Sequence, residues 1–68
     1  MDAVTELERE AFRVAHEQTR EARQDARTRR AEAIRAAEDA GIPREAIAEA
    51  AGIQWPVSRQ RWSVLRRG

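Results

Sequence analysis

Sixty-eight residues leave room for one small domain with a thin core, and because 14 of them are Ala, a hydrophobic share of 41% overstates the bulk available. The net charge is +1, all 13 basic residues are Arg, and the absence of Cys excludes disulfides and thiolate metal ligands. No apolar run approaches the roughly 20 residues of a membrane span and no signal peptide is visible, so the expectation is a soluble, cytoplasmic chain with no membrane partner.

The balanced charge hides an asymmetry. Residues 1–40 carry eight Arg against ten acids, whereas residues 41–68 carry five Arg against two acids, and no acid follows Glu49. Such a gradient concentrates positive potential at one end, as an anion-binding surface requires. The Ala excess, with Arg as the sole basic residue besides His16 and no Asn or Tyr, also fits a GC-rich genome.

From Ala3 to Ala40 there is no Gly or Pro, and Ala, Glu, Arg and Gln dominate. These are strong helix formers. The stretch predicts one continuous helix over 3–40, with Asp2 as N-cap, Gly41 as a left-handed C-terminal stop, and support from the pairs Arg13–Glu17 and Asp25–Arg29. A break near Thr28-Arg29-Arg30 is the alternative. Val4, Ala11, Ala15, Ala22, Ala26, Ala33 and Ala37 recur at spacings of 7 and 4, an eleven-residue repeat that keeps a small-residue stripe nearly straight along the helix. Such a seam admits a second helix closely. With Leu7, Phe12 and Val14 beside it, it predicts a homodimer through Val4, Leu7, Ala11, Val14, Ala15, Ala22 and Ala26, with residues 1–29 as the dimerisation segment. The competing explanation is that Ala is simply frequent. His16 has no second His or Cys nearby and reads as a solvated surface residue.

Ile34 and Ala37 give the last turns of this helix an apolar face before Gly41. Pro43 and Glu45 suit the first turn of a short helix over 43–51, whose inner face is Ile47, Ala48 and Ala51, and Gly52 ends it. A last helix ends near residue 66. The fold class is therefore all-α: a long N-terminal helix followed by two short C-terminal helices.

The stretch "AIRAAEDAGIPREAIAEAAGI" resembles the helix-turn-helix superfamily, in the short form found in small regulators of actinobacteria and their phages. Ala48 matches the small residue where the two helices cross, Gly52 the turn glycine, and Ile53 the apolar residue after it. The resemblance spans residues 30–67 and implies a DNA-binding unit over 30–68. One departure is clear: the two apolar positions expected after the turn fall on Ser58 and Arg61. Four inserted residues in the turn would instead place Trp62 and Leu65 there, with Ser58 as N-cap and Val57 packing on Trp62 as a hydrophobic staple. In the competing register the helix begins near Gln54, and Trp55, Ser58, Trp62 and Leu65 share one face.

Under either register Arg59, Gln60 and Arg61 lie at the start of the last helix. Arg pairs with guanine and Gln with adenine through two hydrogen bonds to one base edge. Arg66, Arg67 and, on the preceding helix, Arg44 are expected at phosphates. The DNA-binding set read from the sequence is thus Arg44, Ser58, Arg59, Gln60, Arg61, Ser63, Arg66 and Arg67. Trp62 is expected in the core, while Trp55 could cap the core or stand exposed. The bland explanation is that arginines keep an apolar helix soluble.

The function implied is a homodimeric, sequence-specific regulator on double-stranded DNA, in which the last helix enters the major groove. A protein-binding helical adaptor, such as an anti-repressor or docking subunit, and a non-specific nucleoid-type binder are the alternatives. No nucleophile–base pair, metal-ligand cluster or glycine-rich phosphate loop is visible, so neither an enzyme nor a cofactor is expected.

Overall fold

The computed structural model describes residues 2–68, which form four helices and, among the described residues, no strand: α1 (Ala3–His16), α2 (Arg20–Asp39), α3 (Arg44–Ala50) and α4 (Arg59–Arg67). The chain is all-α, but the single helix expected over 3–40 is two helices. A rod of that length would measure about 57 Å at ~1.5 Å per residue. The longest dimension of the molecule is 32 Å.

The break lies at residues 17–19, not near Thr28. Glu17 leaves the helix with extended backbone (φ −73°, ψ 134°), and its N–H closes α1 on the Arg13 carbonyl. Thr19, also extended (φ −87°, ψ 152°), restarts the helix by accepting the Ala22 N–H on Oγ1 at 3.1 Å. A threonine can do this because its hydroxyl replaces a lost carbonyl partner at a helix start. The break sacrifices a few helical hydrogen bonds and lets α1 fold back along α2, the most extensive helix–helix contact in the molecule.

That hairpin uses the residues assigned to a dimer seam. Leu7 is fully buried in the chain's own core with Ile34, Ala37 and Ile47, and Ala26, Ala33 and Ala37 are also buried. Val4, Ala11, Val14 and Ala22 are half-buried, and Ala15 is exposed. The small-residue stripe therefore brings helices together within one chain. Burying Leu7 contributes about 1.5–3 kcal/mol, more than a solvent-facing repeat of Ala could supply. It also joins residues 1–29 to the core of 30–68, so the two segments share one hydrophobic centre.

The rest of the core is Ala48, Ala51, Trp62 and Leu65, with Ile42, Ile53 and Val57 packed at its margin. Ile47, Ala48 and Ala51 line the inner face expected of the short helix, although Pro43 is its N-cap and not its first helical residue. Gly41 and Gly52 take left-handed φ values of 81° and 70°, which stop α2 and α3 where a side chain would be strained. Asp25 pairs with Arg29 at 3.2 Å, whereas Arg13 pairs with Glu10 at 3.5 Å in place of Glu17. Both α3 and α4 pack with α2, and no Cα of α3 lies within 8 Å of one in α4.

Candidate nucleic-acid interface

Ser58 begins α4. Its backbone is extended and its Oγ accepts the Arg61 N–H at 3.1 Å, so the helix starts at Arg59 and the connection spans residues 51–58. This is the register with the lengthened turn. Trp62 and Leu65 are the buried residues of α4, and Val57 packs against the core that contains Trp62. The competing start near Gln54 does not occur: Gln54 to Pro56 are exposed and non-helical.

The burial of Trp62 and Leu65 fixes what the helix shows to solvent. At about 100° per residue, the direction opposite this pair is occupied by Gln60, Ser63, Val64 and Arg67. All four are exposed. Arg59 and Arg66 fall on one flank of that stripe and Arg61 on the other. The outward face carries no acid, and Val64, 52% exposed, adds an apolar contact surface in its middle. Arg67 folds its Nε toward the Ser63 carbonyl at 3.3 Å, along the same face. Trp55, 41% exposed, lines a shallow recess with Ile53, Gln54, Pro56 and Arg61 beside the start of α4.

The electrostatic anchor of α4 is Glu38, near the end of α2. One carboxylate oxygen accepts the Trp62 indole N–H at 3.1 Å, and the other pairs with Arg66 Nε at 2.5 Å. Arg44 of α3 approaches the same carboxylate at 3.8 Å and lies 6.0 Å from the Trp62 ring centroid. Partial burial pushes the Glu38 carboxyl up, but the hydrogen bonds from Trp62 and Arg66, with the charges of Arg66 and Arg44, outweigh it and hold its pKa below the ordinary carboxylate range. Arg35 donates to the Arg66 carbonyl, tying the last turn of α4 to α2.

Of the eight residues expected at DNA, five are thus presented together: Arg59, Gln60, Arg61, Ser63 and Arg67. Three are engaged inside the chain. Arg44 and Arg66 face Glu38, an acid 24 residues before Trp62 that no local pattern links to the last helix, and the Ser58 hydroxyl caps α4. Val64 lies outside the expected set, although its position four residues after Gln60 places it on the outward stripe. On α1, Leu7 and Ala26 of α2 are internal, while Phe12 is 62% exposed and stacks on His16 with ring centroids 3.9 Å apart. His16 Nδ1 lies 2.8 Å from the Phe12 carbonyl oxygen, in keeping with a surface side chain. Among the described residues no group of His, Asp or Glu is arranged to hold a metal, and no helix is long and apolar enough to cross a membrane.

No protein-family model, curated protein or solved structure matches the chain.

Proposed function

We propose that this protein is a sequence-specific, double-stranded-DNA-binding regulator with α4 as the reading helix. It departs from the helix-turn-helix resemblance in two ways: the connection before α4 is longer, and the helix crossing expected at Ala48 is absent, because α3 and α4 each pack on α2 and not on one another. The observation that carries this reading is the acid-free outward face of α4: Gln60, Ser63, Val64 and Arg67, flanked by Arg59 and Arg61 and backed by buried Trp62 and Leu65. A helix of this width fits the major groove, where Gln and Arg have two-pronged partners and Val64 can meet a thymine methyl group. The base-reading set shifts accordingly from Arg59, Gln60 and Arg61 to Gln60, Ser63, Val64 and Arg67. Arg59 and Arg61, on the flanks, approach the two strands' phosphates.

Selection of a preferred site from random duplexes, followed by titration at several salt concentrations, tests the reading. Gln60→Ala and Arg67→Ala should each cost about 1–3 kcal/mol on the selected site and much less on random DNA. Equal losses on both would favour a non-specific nucleoid-type binder. No binding at low salt would overturn the reading.

Homodimerisation, in this proposal, falls to the surface of α1 that the hairpin leaves open. Phe12 is its centre, with exposed Ala15 one turn on and His16 stacked on its ring. An exposed Phe beside such neighbours favours a protein contact. Light scattering should show a dimer for the wild type and a monomer for Phe12→Arg. A wild type that stays monomeric at high micromolar concentration removes the dimer and leaves the DNA face to act singly.

A further inference from the structure

Three arginines converge where α2 passes the inner flank of α4. Arg27 and Arg30 of α2 and Arg61 of α4 line a recess of about 260 Å³, whose other walls are Val64, Leu65 and Gly68. No acid lines it. The ion pairs among the described residues join Glu10 with Arg13, Asp25 with Arg29, and Glu38 with Arg44 and Arg66, so none of the three has a carboxylate partner. Arg30 is half-buried, and its Nε is shut off from solvent with no hydrogen-bond acceptor. Burial first, then the charges of Arg27 and Arg61, depress its pKa. The guanidinium stays ionised at neutral pH even so.

This arrangement works against folding. A buried N–H without an acceptor and like charges without a counter-ion are both unfavourable. The chain has 12 Asp and Glu residues, yet none of their side chains is placed to relieve them. A bound oxyanion would supply the missing counter-charge. Planar guanidinium forks match the tetrahedral oxygens of phosphate, and three of them suit it better than a monovalent carboxylate.

We propose that Arg27, Arg30 and Arg61 form a phosphate-binding site. Resting on the reading of α4 given above, the phosphate belongs to the DNA strand that borders the groove on the Arg61 side. Contact with DNA then extends from α4 onto α2, so that two helices fix the angle at which α4 enters. A free phosphate ion or a small phosphorylated compound would present the same chemistry.

The test uses the whole chain. Inorganic phosphate is titrated against chloride at matched ionic strength, while the Nε–Hε resonances of the arginines and the Tm are followed. Phosphate should shift the Arg30 resonance and raise the Tm, because it binds the folded state alone. Both responses should vanish in Arg61→Gln, and the Tm response should vanish in Arg30→Met. In chloride, Arg30→Met should melt higher than the wild type, since an orphan donor and a repelled charge are removed. A residue that merely supports the fold would give the opposite sign. On DNA, Arg27→Gln and Arg30→Met should each lower the salt slope by about one unit. An unchanged slope with an intact phosphate response assigns the site to a free phosphate. If the wild type binds no DNA, the reading of α4 falls, while the phosphate response still decides whether the three arginines form a site. No phosphate-specific response in the wild type, or the same response in Arg61→Gln, overturns the site.

Discussion

Two junctions in this molecule do the same job by the same chemistry, and only one of them announces itself. At 17–19 and again at 57–58 the chain leaves extended backbone and restarts a helix under a hydroxyl cap, Thr19 over Ala22 and Ser58 over Arg61, each at 3.1 Å. Before Ser58 stand Gly52 and Pro56, which punctuate any helical pattern. Between Ala3 and Thr19 there is no Gly or Pro. Local propensity therefore favours an unbroken helix there, by a few tenths of a kcal/mol per residue. Folding α1 back to bury Leu7 outweighs that preference. Tertiary burial decides where intrinsic preference is shallow.

The largest expected effects come from asking whether the N-terminal hairpin is as integral as the C-terminal helix. Trp62→Ala should cost about 3–5 kcal/mol and Leu7→Ala about 2–5 kcal/mol, a large part of the stability of so short a chain. Urea denaturation reads both. If α1 were a detached arm, Leu7→Ala would leave the midpoint where it is, and the two regions would cease to be comparable.

A smaller effect sharpens the contrast between the junctions through its sign. Ser58→Ala should destabilise by about 1 kcal/mol, as loss of an N-cap does, and so should Thr19→Ala. Inside an unbroken helix, Thr19→Ala would instead stabilise, because Ala is the better helix former. Thermal melts of the two variants side by side therefore separate a hairpin from a rod.

The smallest effect distinguishes how the regions are held. α1 docks mainly by apolar burial, whereas α4 also depends on the ionised Glu38. Because the folded-state pKa of Glu38 is depressed, its contribution is fully present above the unfolded carboxylate pKa and is lost as the pH falls through the folded value. Stability should decline on acidification in the wild type. Glu38→Gln should be less stable at neutral pH and decline less steeply. Parallel pH profiles for the two proteins would show that Glu38 does not anchor α4.

What is legible in the sequence follows the same division. The glycine stops at 41 and 52, the inner face Ile47, Ala48 and Ala51, the Ser58 cap and the burial of Trp62 are all readable, because each is a local rule with a strong residue preference. The chain reversal after His16 is not, since its driving force is the distant contact of Leu7 with Ile34. Within the candidate interface, the grouping of arginines on α4 is legible but their division of labour is not. Arg66 and Arg44 differ from Arg59 and Arg67 only in lying beside Glu38, and that proximity exists in three dimensions alone. Arg27 and Arg30 belong, by sequence, to an ordinary charged helical face, and only the passage of α4 beside them sets them apart.

Trp62 and Trp55 have an optical consequence. The protein's two indoles sit in opposite settings: Trp62 is 4% exposed and bonded to a carboxylate, and Trp55 is 41% exposed in the connection beside Arg61. With no Tyr and a single Phe, almost all near-ultraviolet emission comes from this pair. Trp55→Phe leaves a fluorophore that reports unfolding of the core through a red shift. Trp62→Phe leaves one at the edge of the proposed interface, sensitive to whatever docks there. The chain thus carries an intrinsic two-channel sensor, one channel for folding and one for occupancy, without an attached dye.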